Sequence, residues 1–157
     1  MAIVNCLKKI LTRWRVVKSI EGNPTVVDTN ILIDYLRGKE EARVFLDWDC
    51  DPGDLYCSCI TVFEIRCNIR PGEEAAVDGL LTRFRCVELN ECSARLAAQW
   101  WMEYRRRGRT LDFKDLAIAV TAKRAKMRLA TLNTQHFPMP SLDLFQPYVL
   151  LKDVEEK

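Results

Sequence analysis

The sequence predicts an α/β fold: a three-layer α/β/α domain around a mostly parallel central sheet, with an N-terminal amphipathic helix added. Short β-branched or apolar runs alternate with stretches of helical spacing, the pattern of a parallel sheet covered on both faces. The length of 157 residues fits one domain with a core of its own. With 48% hydrophobic and 29% charged residues and only 6 Gly and 6 Pro, the composition is that of an ordinary globular protein and excludes disordered and collagen-like chains.

Residues 3–18 fit an amphipathic helix, because Ile3, Leu7, Ile10, Trp14 and Val17 form one seam while most lysines and arginines fall off it. Glu21-Gly22-Asn23-Pro24 stops it, so residues 1–23 read as a basic appendage, 24–150 as the domain and 151–157 as a tail. The first strand is Thr25-Val26-Val27-Asp28, followed by helical spacing through Ile31, Leu32, Tyr35 and Leu36 to Gly38. A helix over 40–48 precedes a strand at Leu55-Tyr56-Cys57 and a helix over 61–69 that ends before Pro71-Gly72. Residues 73–84 read as helix and Cys86-Val87-Glu88-Leu89 as strand. The helix over 92–107 aligns Ala97, Trp100, Trp101 and Tyr104, and the helix over 113–128 leads into a last strand, Leu129-Ala130-Thr131-Leu132.

No run approaches the roughly 18 apolar residues of a membrane span, and Lys8, Lys9, Arg13, Arg15 and Lys18 interrupt any signal-peptide core. The expectation is a cytoplasmic protein. Its cysteines, 7 in number, are odd in count and lack metal-ligand spacing, so they read as reduced, buried or incidental thiols. Of the 24 Lys+Arg and 22 Asp+Glu, residues 1–22 hold five bases and one acid, leaving 19 bases against 21 acids in the rest. The basic character belongs to the N-terminal segment.

Ligands of parallel sheets bind at the carboxyl ends of the strands. Asp28 ends the first strand, Glu64 starts the helix after the second, Asp112 and Asp115 flank the start of the helix before the last strand, and Asn133 follows that strand. Each has a plain structural use: Thr61-Val62-Phe63-Glu64 matches a capping box, and the aspartates suit helix N-termini. Together, carboxylates converging on one edge repel and are best tolerated around a divalent cation. An all-oxygen pocket selects Mg²⁺ or Mn²⁺ over zinc. Without a phosphate-binding glycine loop or a nucleophile motif, this points to metal-assisted hydrolysis of a phosphate ester.

Four segments carry a family resemblance: residues 26–36 (Val26-Val27-Asp28-Thr29-Asn30 onward), 60–65 (Ile60-Thr61-Val62-Phe63-Glu64-Ile65), 111–122 (Leu111-Asp112-Phe113-Lys114-Asp115 onward) and 129–137 (Leu129-Ala130-Thr131-Leu132-Asn133 onward). In order and spacing they resemble the motifs of PIN-domain ribonucleases, and within them the VapC-type toxins of type II toxin–antitoxin systems. The resemblance implies a PIN-like α/β/α fold and a Mg²⁺- or Mn²⁺-dependent endoribonuclease that hydrolyses RNA with a metal-activated water, leaving 5′-phosphate and 3′-hydroxyl ends. It assigns Asp28, Glu64 and Asp115 to the metal and catalysis, and puts Asn133 where many members carry a fourth acid. Thr29, Asn30 and Thr131 would position the carboxylates, and Asp112 would reach the metal through water or cap its helix. A homodimer with a cognate antitoxin as partner is the implied assembly.

Arg105, Arg106, Arg107 and Arg109 read either as RNA-backbone contacts or as cations at a helix C-terminus. His136 reads as a packing or surface residue rather than a base, although its place just after Asn133 puts it near the cleft, and the Trp100, Trp101 and Tyr104 stripe reads as core or dimer interface. The N-terminal seam, exposed if unpaired, reads as packed on the domain, a second protomer or an antitoxin. The alternative function is a PIN-fold RNA-binding or regulatory module, weak in catalysis because Asn133 removes a charge.

Overall fold

Val26 and Val27 are neighbours on one strand and both 0% exposed, which requires an apolar layer on each side of it. The computed structural model describes residues 14–16, 22–48 and 50–150 and supplies both layers. The elements are β1 (Trp14–Val16), β2 (Thr25–Val27), α1 (Thr29–Leu36), α2 (Glu40–Trp48), β3 (Leu55–Ser58), α3 (Cys59–Cys67), α4 (Glu74–Leu81), β4 (Arg85–Val87), α5 (Glu91–Arg106), α6 (Phe113–Ala125), β5 (Arg128–Ala130), β6 (Leu144–Phe145) and β7 (Tyr148–Leu150).

The central sheet has five strands in the order β4-β3-β2-β5-β6, every neighbouring pair parallel. Val27, Leu55, Cys57 and Ala130 face a core completed by Ile31, Phe45, Ile65 and Leu80 of α1 to α4. Val26 and Leu129 face the opposite core, made with Ala97 and Tyr104 of α5 and with Leu116, Ile118 and Val120 of α6. The strand alternation therefore produces the three layers that the sequence pattern predicts. Phe45 anchors the first core, its ring 6.3 Å from both Phe145 and Tyr148.

From β2 the chain builds outward through β3 to β4, then returns through α5 and α6 to lay β5 on the other side of β2. Strand order thus reverses between β2 and β5, and their carboxyl ends, Asp28 and Thr131, border that crevice. The Asp28 N–H donates to Ala130 O at 2.9 Å and seals the two ends together.

Two expectations are corrected. Residues 14–16, assigned to the C-terminal part of the amphipathic helix, form β1, antiparallel to β7 with Trp14 opposite Leu150. Pairing with a distant segment supplies the backbone partners that a helix would have made locally; the rest of residues 3–18, and the tail 151–157, lie outside the described residues. The N-cap of α3 is Ser58, whose Oγ accepts from the Ile60 N–H at 3.3 Å, so Thr61 and Glu64 lie within the helix and form no capping box. The cysteines fit the expectation of buried or incidental thiols: among those described, Cys50 and Cys57 are buried, and Cys67, Cys86 and Cys92 are exposed. No helix among the described residues is long and apolar enough to cross a membrane.

Candidate active site

Asp28 stands at the N-cap position of α1 yet makes no side-chain capping bond to it. Its carboxylate serves the crevice instead: Oδ2 accepts from Thr131 Oγ1 at 2.7 Å and from Asn30 Nδ2 at 2.9 Å. Asn30 also lies within reach of Thr131 Oγ1, at 3.4 Å, and its Oδ1 takes the Leu132 N–H at 3.5 Å. One side chain therefore ties the end of β2 to the end of β5. Asp28 is only 5% exposed, and burial pushes its carboxyl up to about 6; the Thr131 hydroxyl and the Thr29 amide oppose the rise, and the charges of Asp115 and Glu64 add to it.

Glu64 comes to this edge from α3. Its Oε2 accepts from the buried Thr29 hydroxyl at 2.6 Å, with the Thr61 hydroxyl 3.2 Å from that of Thr29. Its Oε1 pairs with Lys114 Nζ at 2.8 Å. Asp115 enters from the first turn of α6, and its Oδ2 lies 3.1 Å from His136 Nδ1. Partial burial holds the Asp115 carboxyl above its ordinary range, while nearby His136 pulls the other way.

The structure thus brings Asp28, Glu64 and Asp115 within electrostatic reach of one another at one sheet edge, with Thr29, Asn30 and Thr131 as their hydrogen-bond supports. Asp112 is the N-cap of α6, its Oδ1 accepting from the Lys114 N–H at 2.8 Å, and its charge adds to the rise at Asp115. Asn133 follows β5, exposed, and its own N–H donates to Thr131 Oγ1 at 3.0 Å; its side chain makes no capping bond to the short turn after it. Lys114 is the site residue that sequence reasoning missed, and His136, expected near the cleft only as a packing or surface residue, contacts Asp115 there. Both stand beside acids or motif positions in the chain, but their partners lie on other elements.

The four arginines are exposed. Arg105 lies over the Trp101 ring at 4.8 Å, and Arg107 pairs with Glu103 at 2.7 Å. Arg109 donates to Gln135 O, on the turn that carries His136, and so sits at the rim of the site. Arg106 stands in the last turn of α5, where its charge complements the helix dipole. The aromatic stripe of α5 divides: Tyr104 is buried and donates to Pro138 O at 2.8 Å, Trp100 packs partly into the core, and Trp101 is exposed.

Three carboxylates and no sulfur make a donor set suited to a hard dication such as Mg²⁺ or Mn²⁺. Among the described residues, no three His, Cys, Asp or Glu side chains form a ready cation cage. Both Glu64 oxygens are engaged in this structure, one by Thr29 and one by Lys114.

The PIN-domain family model matches residues 25–139. A Mycobacterium tuberculosis protein named Ribonuclease VapC10 is 37% identical over 114 residues, covering 73% of this chain and 86% of that protein. Ribonuclease VapC19 of the same organism is 33% identical over 124 residues, covering 78% and 98%. Among solved structures, a toxin-antitoxin complex from Klebsiella pneumoniae superimposes with a TM-score of 0.68 at 27% identity, over 80% of this chain and 99% of its counterpart. FitAcB from Neisseria gonorrhoeae gives 0.67 at 28% identity, over 78% and 97%.

Proposed function

The chain belongs to the PIN-domain family, in its VapC branch, and on that premise we propose that it is a divalent-metal-dependent endoribonuclease, the toxin of a toxin–antitoxin pair. The observation that carries this reading is the edge where Asp28, Glu64 and Asp115 meet: an acid that burial, together with the charges of its two neighbours, pushes up to about 6 is a site that gains from a cation.

Asp28, Glu64 and Asp115 would hold the ion, Mg²⁺ or Mn²⁺. When bound it would make a water nucleophilic at neutral pH and offset the charge that develops on the phosphate oxygens. The chain's own contribution is placement. Thr131 and Asn30 fix Asp28 against the β5 end. Thr29 fixes Glu64, and His136 braces Asp115. Asp112 supports the site by starting α6 rather than by touching the ion. Asn133, at the rim, adds a neutral oxygen where a fourth charge would stand, which suits one ion rather than two. Arg109, beside the His136 turn, is the arginine best placed to meet an RNA phosphate.

The partners in this reading are RNA, a cognate antitoxin and a second copy of the chain, in the cytoplasm. Phe63, Trp101, Met102 and Phe113 are large apolar side chains left exposed, which supports a surface covered by a protein partner. The test is incubation of purified chain with structured RNAs, with and without Mn²⁺. Cuts with 5′-phosphate ends that vanish with chelator are expected, whereas RNA bound and left intact favours a PIN-fold binding module.

A further inference from the structure

Lys114 Nζ lies 2.8 Å from Glu64 Oε1, and the charges of Asp112 and Asp115 also bear on its ammonium. Resting on the reading of the cluster as a cation site, we infer that Lys114 is the built-in counter-ion of that site: a dication must displace it from Glu64 to be held, so Lys114 sets the cation concentration at which the nuclease is loaded.

Glu64 has no easy alternative. Its side chain is 16% exposed and its Oε2 is held by the Thr29 hydroxyl at 2.6 Å, so Oε1, the oxygen under Lys114, is the one it has to offer. Apart from that ion pair, Lys114 is held by its backbone, where its N–H bonds to the Asp112 cap at 2.8 Å. Its side chain is 51% exposed on a flexible stem, so the ammonium can withdraw into water at little cost. An ammonium and a dication repel each other strongly at the separation of one shared carboxylate, so the two occupancies exclude each other. Meanwhile the ammonium offsets part of the repulsion among the acids of the ion-free chain.

The test is Mn²⁺ binding to the full chain at pH 7.5 by isothermal titration calorimetry, without RNA. Lys114→Met is expected to tighten binding by about three- to tenfold, while Lys114→Arg, which keeps the charge, binds no tighter than wild type. Because Lys114 is half-exposed, both variants are expected to melt like wild type. Unchanged or weaker binding by Lys114→Met, with binding abolished in Asp28→Asn, overturns the counter-ion role and leaves the cation site standing. If neither wild type nor Lys114→Met takes up Mn²⁺, both fall together.

Discussion

The Thr131 hydroxyl donates to Asp28 Oδ2 at 2.7 Å, and both side chains are buried. That bond joins the Asp28 N–H and the Asn30 amide in closing the crevice between β2 and β5, and it aims the most buried acid of the site. Replacing Thr131 with Val keeps the shape and removes the donor, leaving a buried carboxylate under-satisfied. A loss of about 1–3 kcal/mol is expected in urea denaturation, with Thr131→Ser close to wild type. Equal stability of all three chains would show that the bond holds nothing.

Asp28 also carries a pH signature. Its carboxyl is held at about 6 in the folded chain against 3.8 in the unfolded one, so between those values the folded chain binds the proton more tightly. The Asp28 contribution therefore favours folding at acid pH and is lost as pH rises through about 6, by an amount of order 3 kcal/mol. Asp28→Asn, which cannot ionise, is expected to gain stability relative to wild type between pH 4 and pH 7 in chelator. Parallel stability curves for the two chains would remove the burial argument.

Phe45 is 0% exposed and edges against Phe145 and Tyr148. Truncating Phe45 to Ala opens a cavity that the sheet and α2 cannot close. The expected cost is about 3–5 kcal/mol in chemical denaturation with an unchanged slope; a loss below about 1 kcal/mol would mean that the layer is not packed as described.

Burial pushes the Cys57 thiol up to about 12, whereas Cys67 and Cys92 are exposed. Iodoacetamide at pH 8 is expected to label Cys67 and Cys92 in the native chain and to reach Cys57 only after unfolding. Peptide mass mapping reads the order, and early labelling of Cys57 would contradict its place in the core.

Much of this was legible because local pattern and global fold agree. Val26-Val27-Asp28 reads as a buried strand ending in an acid, and the helix expected at 40–48 is Glu40–Trp48. What failed had a competing local signal or none. The Thr61 to Glu64 spacing imitates a capping box while Ser58 does the capping. The apolar seam through Trp14 imitates a helix, but residues 14–16 pair with a segment far along the chain. β6 is two residues long, too short for any periodicity. In the site, the acids were readable from a strand end and from helix starts, but the partnerships of Lys114 with Glu64 and His136 with Asp115 join separate elements and exist only once the sheet is assembled.

In the proposed reading these carboxylates act on RNA through a divalent ion, and the single-turnover rate of RNA cleavage across a Mn²⁺ titration, for wild type and for Asp28→Asn, puts this to the test. Cleavage that needs the ion, and a loss of at least about a hundredfold in Asp28→Asn at saturating Mn²⁺, is the expected result. A rate indifferent to chelator, or the same in both chains, would contradict it.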